Sequence, residues 1–173
     1  LTSNPALTIK DQIETDWADV NVSSRMAKAN IIFTTGRAGI YRTLKGQDTR
    51  FFSGAKSENS NAVILVQGPI TPGTVQRLQL AGDASGVMTF RKQVYQVTVF
   101  VRLLDVGDSF VDDAILDRHQ VKEEIDRIVE LRRNTMTDIK FVYPINHFTR
   151  EEFDSKTPSV NMIIEVEVYN FEQ

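Results

Sequence analysis

The chain has 173 residues, 41% of them hydrophobic and 25% charged, which is enough for one good core and too apolar for wholesale disorder. Its 23 acids and 20 bases leave a net charge of −3, so no global basic field points to nucleic-acid recognition and the acid excess is too small for a halophilic surface. With no cysteine there are no disulfides or thiolate metal sites, no apolar run reaches the roughly 20 residues of a membrane helix, and the opening residues lack the basic cap and apolar stretch of a signal peptide, so none is expected.

Thr8 has the character of a helix N-cap, with Asp11 three residues later, and Ile9, Ile13 and Trp17 recur at every fourth position. That spacing predicts a short amphipathic helix over 9–17 whose apolar side packs on a sheet or on a neighbouring subunit. Asn21-Val22-Ser23 fits the glycosylation sequon, a triplet that chance produces often, and nothing else points to secretion. Asn30-Ile31-Ile32-Phe33-Thr34 is a β-rich run stopped by Gly36. Runs at 40–44 and 49–53 flank Lys45-Gly46-Gln47-Asp48 and predict a hairpin, and polar residues at 54–61 predict a loop. Residues 62–66 form a compact apolar strand ended by Gly68-Pro69. Beyond it Pro72-Gly73 marks a turn, and Val75, Leu78 and Leu80 fit an irregular strand better than a helical turn.

Residues 87–90 and 94–104 predict one long strand with an irregularity at Arg91-Lys92. Tyr95, Val97, Val99, Val101 and Leu103 fall on one face of it, and Val94, Gln96, Thr98, Phe100 and Arg102 on the other. A charged segment follows over 110–133, with Val111, Ala114, Ile115, Val121, Ile125, Ile128 and Val129 as an apolar stripe broken at Arg118. Asp108 or Ser109 can cap this helix, Asp112 and Asp113 sit in its first turn, and Arg132 and Arg133 at its far end. About 24 residues at a 1.5 Å rise give roughly 36 Å, the length of an 11-residue strand, so the helix can run back along that strand. Residues 139–143 then re-enter the sheet as a strand ended by Pro144, 146–157 form a charged connection, and 160–171 close the sheet with Val160, Met162, Ile164, Val166 and Val168 on one face. The expected fold is α/β of the α+β kind: a single domain over 1–173, with a mainly antiparallel or mixed sheet packed by one long helix and a short N-terminal helix, and a protruding hairpin or loop arm at 37–61.

No motif carries chemistry. Asp105-Val106-Gly107-Asp108-Ser109 lacks the ligand spacing of a calcium loop, and Asp117-Arg118-His119-Gln120 lacks the second histidine of the zinc motif. Gly36-Arg37-Ala38-Gly39 matches no phosphate-binding pattern; it matches the short loop of a KH module, but that loop lies between helices and this one between strands. Two histidines without a nucleophile elbow nominate no triad, so neither an enzyme nor a cofactor is expected. Charge is distributed more tellingly. Arg37, Arg42, Lys45, Arg50 and Lys56 face one acid, Asp48, whereas residues 105–130 carry nine acids, Asp105, Asp108, Asp112 and Asp113 among them, against three bases. These are either two solvated faces or a basic hairpin that meets the acidic helix of the next subunit in a head-to-tail ring, with Trp17 and its helix adding apolar contact.

The order of long strand, acidic loop, long helix, strand and final long strand resembles the tail terminator proteins of long-tailed bacteriophages, with the short N-terminal helix and the basic hairpin. The resemblance is best in Gln93-Val94-Tyr95-Gln96-Val97-Thr98-Val99-Phe100-Val101, in Glu123-Glu124-Ile125-Asp126-Arg127-Ile128 and in Met162-Ile163-Ile164-Glu165-Val166-Glu167-Val168. It implies a hexameric ring in the virion neck, assembled in the host cytoplasm, that caps the tail tube, stops its polymerisation and offers a docking face to the head connector. DNA would pass through the lumen unread. A tail tube or other neck protein is the alternative among virion proteins, and a small enzyme or ligand-binding domain the alternative from another class.

Overall fold

The structure, a computed structural model, describes residues 4–35, 61–70, 74–79, 87–102, 110–152 and 159–171. The predicted arm, apart from Asn61, lies outside them. The described residues form one α+β domain. Helices α1 (Pro5–Asp16) and α2 (Phe110–Leu131) pack on a mixed sheet of β1 (Ile31–Thr34), β2 (Ala62–Gln67), β3 (Thr74–Gln79), β4 (Val87–Arg102), β5 (Phe141–Glu152) and β6 (Ser159–Phe171). The sheet runs β1-β2-β4-β6-β5, with β3 paired to β4.

The spine is the antiparallel pair β4–β6, in register from Phe90↔Phe171 to Arg102↔Ser159. Alternation puts Tyr95, Val97, Val99 and Val101 on the same face as Val166, Ile164, Met162 and Val160, and all of them are buried. Ile31 on β1, Ala62, Ile64 and Val66 on β2 and Val142 on β5 extend that face. α2 lays Ala114, Val121, Ile125, Ile128 and Val129 on it, and α1 adds Ile9 and Ile13 to the same cluster. β2 and β3 lie end to end along one side of β4, with the Ile70 N–H donating to the Val94 carbonyl between them at 2.9 Å. Gly68 sits at the end of β2 with φ +154°, where a Cβ would fall on three ring atoms of Tyr95, the farthest of them at 3.0 Å.

The local detail departs from expectation in five places. α1 begins four residues before Ile9, because Asn4 is its N-cap and accepts from the Leu7 N–H at 3.3 Å, while Pro5, which has no N–H to satisfy, opens the first turn. Thr8 instead donates its hydroxyl to the Asn4 carbonyl. Residues 74–79 make a regular strand, and β4 passes Arg91 and Lys92 with no register shift against β3 or β6. α2 stops at Leu131, leaving Arg132 and Arg133 in the turn that follows. Pro144 does not end its strand. β5 continues to Glu152 through a register shift between Pro144 and Asn146, so most of the predicted charged connection is strand. An edge position has room for a residue without an N–H, and the bulge absorbs the misfit.

Ile125 is fully buried between α2 and the sheet, whereas Leu131 is 57% exposed. Ile125→Asp is expected to lower unfolding free energy by about 3 kcal/mol or more, through a carboxylate placed among apolar atoms. Leu131→Asp should leave it within about 0.5 kcal/mol. Denaturant titrations of both variants check the assigned helix face.

Candidate functional site: the acidic helix

The acids of α2 do two different jobs. Asp117 and Glu124, seven residues apart, lie on one side of the helix and are both buried. That side faces the connection from α1 to β1, three single 3-10 turns at Asp19–Asn21, Ser24–Met26 and Lys28–Asn30. Asp117 accepts from the Ser23 hydroxyl at 2.7 Å and from Nε and Nη2 of Arg25 at 2.8 and 3.1 Å. The Gln120 amide oxygen accepts from the Ser23 N–H at 2.8 Å. Glu124 accepts from the Ala18 N–H at 2.9 Å, from the Asn21 amide at 2.8 Å, and from Arg127 at 2.6 and 2.9 Å. Arg127 also donates to the Asp16 carbonyl, and Arg132 clamps the Asp16 carboxylate at 2.6 and 3.2 Å. Segments without regular hydrogen bonding of their own are thereby pinned to the helix.

Burial works against ionisation of Glu124, but the hydrogen bonds from Arg127, Asn21 and Ala18 outweigh it and hold the carboxyl below its ordinary value. Asp16 is also held low, first by the hydrogen bonds from Arg132.

Glu123, Asp126 and Glu130 point outward. The side chains of Glu123 and Glu130 are 58% and 54% exposed, and that of Asp126 is 27% exposed; Lys122 bridges Glu123 and Asp126 at 3.2 and 3.0 Å. His119 is exposed, 4.0 Å from Glu123. Of the residues expected at an interface, Arg37, Arg42, Lys45, Arg50, Asp105 and Asp108 lie outside the described residues. Asp112 takes its place in the first turn of α2, and Asp113 comes within 3.9 Å of Arg25 of its own chain. Trp17 is not on an outer surface. It is 7% exposed, edge-on to Phe33 at 5.7 Å, and its indole donates to the Met26 carbonyl at 3.2 Å, so the chain's own core uses it. The sequon is engaged as well: Asn21 holds Glu124 and Ser23 holds Asp117. Sequence reasoning missed Arg25 as the intrachain partner of the acidic helix. Its signal was the seven-residue spacing of Asp117 and Glu124 inside the apolar stripe, which places two charges where only paired charges survive.

The opposite face of the sheet carries a second cluster. Phe141 and Tyr143 stack at 6.3 Å, Tyr143 meets Tyr169 edge-on at 6.2 Å, and the Arg133 guanidinium lies 6.0 Å from the Tyr143 ring. The Tyr169 hydroxyl donates to Glu167, and that bond, aided by burial, pushes its pKa up to about 12. Lys92 pairs with Glu167 at 3.2 Å. These contacts fix the turn from α2 into β5, where the Val142 N–H donates to the Arg133 carbonyl at 2.9 Å.

Among the described residues no three histidine, aspartate or glutamate side chains are grouped to hold a metal ion, and no helix is long and apolar enough to cross a membrane. No protein-family model matches the chain, and no curated protein matches it significantly.

The carboxyls of Glu124 and Asp16 titrate below their ordinary values of 4.5 and 3.8. Their contribution to stability is therefore complete above those values and is lost as pH falls through the lowered, folded-state values. Unfolding free energy should fall steeply with pH in the acid range below about 4. Glu124→Gln should cost about 2 kcal/mol at neutral pH, and the variant's stability should fall less steeply toward acid. Urea titrations of both proteins from pH 7 to pH 3 measure this.

Proposed function

We propose that the chain is a structural protein of a long-tailed bacteriophage virion, a ring-forming tail terminator that ends tube polymerisation and offers the docking face for the head connector. The observation that carries the reading is the arrangement of α2, β4 and β6: two long strands in register over residues 90–102, with a long acidic helix laid along them, in the order that the terminator resemblance calls for. The mechanism is interface geometry rather than bond chemistry. α2 satisfies its inward acids within the chain and presents Glu123, Asp126 and Glu130 outward. The sequence supplies a set of opposite sign in Arg37, Arg42, Lys45 and Arg50. Such patches set orientation and register between subunits more than they set affinity, since exposed pairs contribute under about 1 kcal/mol each. DNA traverses the ring without being read, and no cofactor takes part.

Native mass spectrometry and negative-stain microscopy of the chain, alone and with tail tubes, test this. The expected result is a closed ring of six copies that stops tube growth. Long tubes of the chain itself would assign it as a tube protein, and a single copy under both conditions would remove the terminator reading. Arg42→Glu with Arg50→Glu should weaken the ring. Adding Glu123→Lys and Glu130→Lys should restore part of it; no recovery would show that the two patches do not meet. The replacements avoid Asp113, because its neighbour Arg25 belongs to the contact that pins the α1–β1 connection, whereas Glu123 and Glu130 pair with Lys122 and Arg133 on or just beyond the same helix.

A further inference from the structure

β5 is the last strand on its side of the sheet, and no described strand pairs with its outer edge. Five consecutive residues inside it, 145–149, are exposed. In a strand, consecutive residues face opposite sides, so this stretch is exposed on both faces, and among the described residues its outer edge is unpaired. His147 and Thr149 share the face of Ile164 and Met162, which α2 and its neighbours bury on β6 but leave bare on β5. On the other face Phe148 is 53% exposed, and Ile145, at the bulge, is 41% exposed. An uncovered edge with apolar side chains is a template for a further strand.

We infer that this edge binds a second copy of itself, β5 against β5 in antiparallel register with the two-fold axis at Thr149. The charge pattern selects the occupant. About Thr149 the strand is self-complementary: His147 comes opposite Glu151 of the second copy, Phe148 opposite Arg150, and Thr149 opposite its own equivalent. Each pair lies on one face, as the pleat requires. Each is also of a favourable cross-strand kind: an imidazole against a carboxylate, an aromatic ring against a guanidinium, and threonine against threonine. The neighbouring registers that keep the faces aligned move the axis by one residue, and both lose this pattern: centred on Phe148 they set His147 opposite Thr149, and centred on Arg150 they set Arg150 opposite its own equivalent. The Pro144–Asn146 bulge bends the strand before this stretch, so pairing is confined to residues beyond the bulge and closes at two copies. The contact is independent of the ring proposal, because a head-to-tail ring needs two different faces and this one needs a single face used twice.

The chain has no cysteine, so Thr149→Cys introduces the sole thiol. Residues facing each other across an antiparallel pair have Cα atoms about 4.5–5.5 Å apart, within disulfide range. Under mild oxidation this variant is expected to form covalent dimers at least ten-fold faster than Val20→Cys, a control at a position 92% exposed in the turn Asp19–Asn21. Adding either His147→Glu or Glu151→Lys should slow cross-linking, and the two together should restore it. Equal rates for the two cysteine variants would overturn the contact, and failure of the double charge exchange to recover the rate would overturn the register. Both results stand whatever the ring experiment shows.

Discussion

Glu124 carries a charge into a position only 2% exposed, and the connection from α1 to β1 is arranged around it. Burying a carboxylate is costly unless each of its oxygens is satisfied. Here the satisfying groups come from three places: a backbone N–H just beyond α1, the Asn21 amide, and Arg127 one turn further along α2. The helix thereby holds a stretch of chain that has only single turns of its own. Asp117 repeats the arrangement two turns earlier with Ser23 and Arg25. Without these two carboxylates the path from α1 to β1 would lose most of its side-chain bonds to α2, keeping Gln120 on the Ser23 N–H and Arg127 on the Asp16 carbonyl.

The sheet and the long helix were legible because their patterns are long. Alternation on β4 and β6 and the spacing of Val121, Ile125 and Ile128 on α2 repeat often enough to override local noise. Pro144 was misread because sequence does not reveal that β5 is an edge strand, where proline is tolerated. Asn4 was overlooked because Thr8 carries an equally good capping side chain, and only the position of Pro5 separates them. The contact of α2 with the α1–β1 connection was invisible for another reason. A carboxylate on a helix reads as solvated unless its partner is known, and Arg25 lies 92 residues from Asp117 along the chain.

Charge on α2 is thus partitioned by side. The inward acids stabilise the fold, and the outward ones leave a negative ridge available to a partner. This division sharpens any reading of the chain as an assembling protein, because replacing an acid on α2 tests association only if that acid does not hold one part of its own subunit to another. Exposed apolar surface on β5 is a separate resource, on a different element and with a different pairing logic.

β1 and β2 run parallel, with Ile31 beside Ala62 and Thr34 beside Leu65, and the Asn61 N–H donates to the Asn30 carbonyl at 2.7 Å. The chain therefore leaves β1 at one end and re-enters β2 at the other, with anchor points separated by about four strand residues, roughly 13 Å. The stretch between them is far longer than that span requires, and both its anchors are held by the sheet rather than by each other's loop. Doubling such a loop costs only about 0.6 kcal/mol in closure entropy. The framework therefore sets no tight limit on the length or sequence that joins Thr34 to Ala62, and insertions between these two anchors are expected to leave the register of β1 on β2 unchanged.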